Sequence, residues 1–386
     1  MTMNDQRARR IAAIEPSIFA TMSALAAEHR AVNLGQGFPD FDGPAWIVEA
    51  FNEALHAAKN QYAPMPGIQR LRRAVAGYHK AFYDLDWNPD TEITITAGAT
   101  ESLFSSMLAL LNPGDEVILF EPWYDSYHAN CLVAGATPVC VTLHKPDFRI
   151  DAEELERSIT GRTRMIVLNN PHNPTGRMFT REELDIVAAA AVRHELLVIS
   201  DEVYEFLTFD GREHIPFATL PGMRDRTLTI SSTGKTFGMT GWKIGYTIAP
   251  PALTDAVRTV HQFVTFAVNT PGQHAMAHGL EQLESYLPEF RELYTKKRDM
   301  LEDGLQGGPF TTYRPEGTYF MMASLPEGSG ESDVDWATRL VTERQVAVIP
   351  PSVFYVNSDE GTTMLRLCFA KSEETLREGI ARLRRD

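Results

Sequence analysis

Cysteine is scarce in this chain: three in 386 residues (Cys131, Cys140 and Cys368), with no Cys-x-x-Cys pair. That argues against a disulfide framework or a thiolate metal site, and an odd set of thiols points to a reducing, cytoplasmic setting. No apolar run approaches the roughly eighteen residues needed to span a bilayer. Near the start, Arg7, Arg9 and Arg10 precede only Ile11-Ala12-Ala13-Ile14, too short an apolar stretch for a secretory signal. Those arginines read as a solvated arm. Positive charge is in deficit, 36 Lys and Arg against 51 Asp and Glu, for a net charge of −15. Nucleic acid and anionic membranes are therefore unsuitable partners. His274 and His278 share a helical face at metal-ligand spacing, but no Glu lies in the intervening Ala275-Met276-Ala277, so no metal site is expected.

What is present is ordinary for a soluble enzyme, with 44% hydrophobic and 23% charged residues. The length suffices for two domains. Short apolar runs at 93–96, 117–120, 165–168, 196–200, 228–230 and 246–248 read as strands, with helical patterns between several of them. Thr180-Arg181-Glu182-Glu183 is a capping box that opens one such helix. Strand–helix alternation predicts an α/β fold, a mostly parallel central sheet flanked by helices, with ligands at the carboxyl ends of strands. Beyond residue 280, longer polar helices and shorter strands predict a smaller α+β domain. The expected division is 1–44 as an N-terminal arm and part of the small domain, 45–279 as the large domain, and 280–386 as the small C-terminal domain.

The segment from Ser231 to Tyr246 carries the chemistry. Lys235 sits among small hydroxyl-bearing residues in a glycine-rich loop, and Lys243 follows eight residues later. A lysine amine can form a Schiff base with an aldehyde, while Ser232 and Lys243 suit a phosphate. Pyridoxal phosphate offers both groups. Gly234-Lys235-Thr236 also has the form of a P-loop ending, which would make the chain a nucleotide hydrolase. Thr229 stands where that motif needs its first glycine, so the nucleotide reading is the remote one. A surface lysine in a turn is the bland alternative, and three further segments weigh against it.

Asn169-Asn170-Pro171-His172-Asn173-Pro174-Thr175-Gly176 follows one apolar run. Asp201, twenty-eight residues after Asn173, closes another and is followed by Tyr204. Arg366 is embedded in Leu365-Arg366-Leu367-Cys368-Phe369. Asn-Pro-Thr-Gly, Asp-x-x-Tyr, Ser-x-x-Lys and a late Arg, in this order, resemble the fold-type I pyridoxal-phosphate aminotransferases. The resemblance runs from Asn33 to Arg366 and is strongest to the methionine and kynurenine branch, as in Asn60 to Met65 and Val260 to Pro271.

The resemblance implies pyridoxal 5′-phosphate as cofactor and a role for each matched residue. Lys235 is the Schiff-base lysine and proton shuttle, Asp201 faces the ring nitrogen, and Asn173 and Tyr204 bond the ring's phenolic oxygen. Gly98-Ala99-Thr100, opening a helix, would bind the phosphate with Ser232 and Lys243. Tyr124 would stack on the ring, and Tyr62 would reach the phosphate of the partner subunit in a homodimer with shared sites. Arg366 would clamp the substrate carboxylate beside Gly37, with Phe19 and the partner's Phe266 lining the side-chain pocket. The implied reaction is a ping-pong transfer of an amino group from an L-amino acid of methionine, aromatic, glutamine or kynurenine type to a 2-oxo acid. The alternatives within the same cofactor class are a cysteine-S-conjugate β-lyase and a succinyl-diaminopimelate aminotransferase.

Overall fold

The computed structural model describes residues 7–385, so residues 1–6 of the expected N-terminal arm lie outside the described residues. The strand Val32–Asn33 (β1) is followed by seven that share one sheet. These are Ile93–Thr96 (β2), Glu116–Glu121 (β3), Thr137–Thr142 (β4), Thr163–Asn169 (β5), Leu197–Asp201 (β6), Thr227–Ser232 (β7) and Gly245–Ile248 (β8). Their order across the sheet is β2-β8-β7-β6-β5-β3-β4. β8 runs antiparallel to both its neighbours, β2 and β7, and the remaining pairs are parallel. The expected mostly parallel sheet is thus present.

Its faces follow from alternation along the strands. Val117, Leu119, Met165, Val167 and Ile199 enter one core, covered by helices Gly98–Leu110, Asp125–Ala134 and Pro251–Val264. Ile118, Phe120, Ile166, Leu168 and Val198 enter the other, covered by Arg181–Arg193. β3 is buried along its whole length, as a sheet covered on both faces requires. The Arg181–Arg193 helix begins with the anticipated capping box, in which Thr180 and Glu183 satisfy each other's backbone N–H groups. β4, not anticipated, is an edge strand containing Pro138, whose missing N–H is tolerated at an edge.

After the helix Leu283–Leu305 come Thr311–Tyr313 (β9), Phe320–Ser324 (β10), Val346–Ala347 (β11) and Met364–Cys368 (β12). β12, β10 and β9 form an antiparallel sheet, and β11 pairs in parallel with β1. No helix among the described residues is long and apolar enough to cross a membrane. Register defines one functional rim: Asn169 pairs with Asp201, Asp201 with Ile230, and Ser232 with Gly245. The carboxyl ends of β5, β6 and β7 meet the start of β8 there.

Candidate active site

A cavity of ≈300 Å³ opens at this rim. Of the residues singled out from sequence, Phe19, Gly37, Gly98, Ala99, Thr100 and Tyr124 line it, as do Asn173, Asp201, Tyr204, Ser232, Lys235, Lys243 and Arg366. They come from the helix Ile18–Glu28 at one end of the chain to the strand Met364–Cys368 at the other.

One end of the cavity is built for an anion. The helix Gly98–Leu110 begins without a side-chain cap, so its first N–H groups have no intrahelical or capping partner. Gly245 lets β8 press against this turn: a Cβ there would lie 2.6 Å from the Gly98 carbonyl carbon and 2.7 Å from the Ala99 nitrogen. Lys243 Nζ donates to Thr100 Oγ1 at 3.2 Å. Lys243 adopts φ 54° and ψ 51°, a left-handed conformation that costs a non-glycine residue about 1–2 kcal/mol. Ser232 Oγ adds a hydroxyl on the same side, donating weakly to the Ile244 carbonyl at 3.4 Å.

Asp201 lines the same cavity from the end of β6. Tyr127 Oη donates to Asp201 Oδ2 at 2.7 Å, and the Val203 N–H donates to Oδ1 at 3.3 Å. Burial pushes the carboxyl up to about 6, against the lowering effect of the Tyr127 bond. It is still mainly ionised at neutral pH, in a low-dielectric setting that favours pairing with a cation. Asn169 braces both motifs, since its amide donates to the Asp201 carbonyl at 2.8 Å and its Oδ1 accepts the Asn173 N–H at 2.7 Å.

Lys235 follows β7 in the short helix Thr233–Thr236. Its amine donates to Tyr319 Oη at 2.8 Å and to the Gly37 carbonyl at 3.3 Å. Burial lowers its pKa to about 8, so a neutral amine is within reach at physiological pH. Thr229, at the position a P-loop would give to glycine, lies inside β7, and no phosphate-wrapping loop precedes the lysine.

Arg366, on β12, is 1% exposed. Nη1 donates to Asn173 Oδ1 and Nη2 to the Gly35 carbonyl, each at 3.0 Å, while Nε has no partner among the described residues. The guanidinium lies 4.1 Å from the Phe320 ring centroid and 4.9 Å from that of Phe19. No carboxylate among the described residues forms an ion pair with it, and burial lowers its pKa. Gly37 sits against the same wall, where an added Cβ would meet Phe320 Cζ at 2.7 Å.

Two residues do not join the cavity. Tyr62 and Phe266 stack edge-on at 5.5 Å on the outside of the chain, where they are 83% and 46% exposed. Three that matter were not singled out as site residues: Tyr127, Asn169 and Tyr319. Tyr127 had a local signal, lying one helical turn after Tyr124. Asn169 had another, at the strand end preceding Asn173. Tyr319 has none, because its partners are 84 and 282 residues away.

Behind the site the Asp201–Glu205 turn is anchored by buried polar groups. Glu205 accepts from Tyr83 Oη and Ser231 Oγ at 2.9 Å and from Tyr78 Oη at 3.1 Å, and burial pushes it up to about 7. Glu202 pairs with His214 at 2.8 Å.

This chain belongs to the aminotransferase class I and II family, which it matches over residues 29–383 and whose members depend on pyridoxal phosphate. It is a transaminase. A methionine aminotransferase of Escherichia coli strain K12 is 41% identical over 368 residues, 95% of each chain. A kynurenine–oxoglutarate transaminase of Dictyostelium discoideum is 38% identical, over 98% of this chain and 96% of the other. The solved N-succinyldiaminopimelate aminotransferase of Mycobacterium tuberculosis matches with a TM-score of 0.95 and 41% identity, over 98% of this chain and 99% of that one. The donor set fits the family's cofactor: an uncapped helix start with Lys243 and Ser232 for a phosphate, a buried carboxylate for a ring cation, and an amine between them.

Proposed function

We propose that this chain is a homodimeric, cytoplasmic aminotransferase whose preferred amino donors have uncharged side chains. It would move the amino group of methionine, an aromatic amino acid, glutamine or kynurenine to a 2-oxo acid. One observation carries the preference. The cavity's cations are Lys235, Lys243 at the anion end, and Arg366, and Phe19, Phe38, Phe320 and Tyr124 line the same cavity, Phe19 and Phe320 with their rings against the Arg366 guanidinium. One carboxylate has a partner there. A second, on a dicarboxylate, would be buried unpaired at a cost of several kcal/mol.

Pyridoxal 5′-phosphate, when bound, supplies the electron sink. Gly98, Ala99, Thr100, Ser232 and Lys243 would hold its phosphate, Tyr124 would cover its ring, and Asn173 and Tyr204 would bond its phenolic oxygen. Asp201 would keep a proton on the ring nitrogen, and Lys235 would provide the amine that binds the aldehyde and moves protons. Arg366 would orient the substrate carboxylate with two parallel bonds, beside Gly37. Tyr62 and Phe266, exposed together, would complete the partner subunit's site. The division at residues 44 and 279 would place the amine on the large domain and the carboxylate clamp on the small one. Three buried, unpaired cysteines suit a reducing compartment.

A panel of amino acids with several 2-oxo acids tests this reading. kcat/KM for methionine or phenylalanine should exceed that for aspartate by at least roughly tenfold, about 1.4 kcal/mol. Aspartate as the best donor would sink the pocket assignment.

A further inference from the structure

Beside the anion end lies a buried ion pair for which the transamination chemistry has no evident use. Glu101 stands in the first turn of the helix Gly98–Leu110, and His261 on the helix Pro251–Val264 that packs against it. Both side chains are shielded from solvent, and His261 Nδ1 meets Glu101 Oε1 at 2.5 Å. Glu101 Oε2 accepts the N–H of Ala97, the residue that leads into Gly98, Ala99 and Thr100. On the other side of the ring, His261 Nε2 donates to the Met65 carbonyl at 2.9 Å. Met65 closes the segment that carries Tyr62, and the His261 carbonyl accepts the Phe266 N–H at 2.9 Å.

These contacts set the protonation of the pair. A neutral imidazole has one N–H, and the Met65 carbonyl can only accept, so Nε2 carries a proton. Nδ1 then faces a carboxylate and needs a second proton, while the Ala97 N–H on the other oxygen favours the ionised acid. The result is an imidazolium paired with a carboxylate. Burial lowers the imidazole's pKa, but the bond and charge of Glu101 and the Met65 carbonyl outweigh it, leaving it above the ordinary value. Arg258, one turn earlier, is taken up by the Asp90 and Ile93 carbonyls, so among the described residues His261 is the one cation paired with Glu101. An acid in this turn would otherwise work against a phosphate. Both are drawn to the positive end of the same helix, and a bare buried carboxylate there repels a dianion. We propose that His261 is a positioning residue for the cofactor's phosphate: it cancels the charge of Glu101 and leaves that carboxylate to hold the Ala97 N–H, so that residues 98–100 keep both their shape and their attraction for an anion. The inference rests on the reading of this helix start as the phosphate site.

A buried pair that only holds the fold together is the competing explanation, and the phosphate itself separates the two. The probes are pyridoxal 5′-phosphate and pyridoxal, which differ only in that group. Each is titrated into the full-length, cofactor-depleted protein and read as a visible absorption band. In wild type the phosphate should raise the affinity. His261→Gln, which leaves Glu101 charged and unpaired, should cut that preference roughly tenfold or more. Glu101→Gln keeps the hydrogen bonds, since its amide can accept from Ala97 and donate to the neutral ring, and should hold the preference within about threefold of wild type. The double variant, Glu101→Gln with His261→Gln, leaves no charge in the pair and should also stay within about threefold, even where His261→Gln alone does not fold. Equal losses for the two probes in His261→Gln would overturn the proposal in favour of a structural role. A roughly tenfold loss of preference in Glu101→Gln or in the double variant would also overturn it, by showing that the phosphate does not sense the charge balance. A wild type that binds both aldehydes equally would refute the phosphate site itself, and the proposal with it.

Discussion

Arg366 is a buried cation without an acid partner, and removing its charge has two separable consequences. The first is on substrate. Truncating one member of a buried charge pair costs about 2–5 kcal/mol, so Arg366→Ala should lower kcat/KM for amino and oxo acids alike by roughly 30- to 5,000-fold. Arg366→Lys should recover only part, because an ammonium cannot present two parallel N–H bonds. The second is on the protein itself. The guanidinium's hydrogen bonds to Asn173 and Gly35 are worth about 1.5–3 kcal/mol each, and its seat on Phe320 and Phe19 about 2 kcal/mol. Against this stands a desolvation cost of several kcal/mol for an ion with no counter-ion. The terms nearly cancel. Arg366→Met, which fills much of the same volume, should therefore change the stability of the substrate-free enzyme by no more than a few kcal/mol, in either direction.

Ligand binding breaks that balance. An unreactive monocarboxylate such as 3-phenylpropionate should stabilise the wild-type holoenzyme by about 2.7 kcal/mol at a hundred times its Kd. The same concentration should leave Arg366→Met unmoved. Thermal or denaturant unfolding of the two proteins, with and without the ligand, measures this directly alongside the kinetics. Equal stabilisation of both by the carboxylate, or an unchanged kcat/KM in Arg366→Ala, would remove Arg366 from the substrate site.

Lys235→Ala should fold and retain the cavity, but lose the visible band formed with pyridoxal 5′-phosphate and nearly all turnover; an intact band would place the reacting amine elsewhere. Glu205 gives a pH-dependent prediction. Its folded value, about 7, lies above the ordinary 4.5, so its contribution to stability is fully present below about 4.5 and is lost as pH rises through about 7. The full swing is at most about 3 kcal/mol. Glu205→Gln should accordingly gain stability relative to wild type between about pH 5 and pH 8 in denaturant titrations, and a pH-independent difference would show that the folded carboxyl titrates normally.

The α/β fold was legible because buried parallel strands leave short apolar runs with helices between them, and the capping box at Thr180 marks a boundary with its own chemistry. β4 was not, because Pro138 and the flanking threonines break the apolar run that identifies an interior strand. The residues that gather in the cavity were legible as types at spacings, each just beyond a strand of the rim. Their partners were less so. Tyr319 contacts Lys235 only through tertiary structure, and nothing local distinguishes it from the aromatics that surround it. Lys243 illustrates another limit: its spacing from Lys235 suggested an anion site, but the left-handed backbone that turns it towards Thr100 is invisible in composition.

The turn Asp201-Glu202-Val203-Tyr204-Glu205 holds three acids within five residues, and the structure gives each a different fate. Glu202 is paired with His214 and held below the usual carboxylate range although wholly buried, because the imidazole and two further donors, Ser200 Oγ and the Phe217 N–H, outweigh desolvation. Glu205 turns to the opposite side, where hydroxyls from Tyr78, Tyr83 and Ser231 surround it, and no cation among the described residues pairs with it directly. Asp201 alone lines the cavity, and its charge has a phenol and one backbone N–H as direct partners. An acid already paired has little to gain from a ligand, and one sealed behind the sheet cannot meet one. A carboxylate that is buried, ionised, lightly solvated by protein donors and open to a cavity retains most of its attraction for an incoming cation. Environment therefore selects Asp201 among its neighbours, and the same argument selects Arg366, a buried guanidinium that lines the cavity without an acid partner among the described residues, for the carboxylate of the substrate.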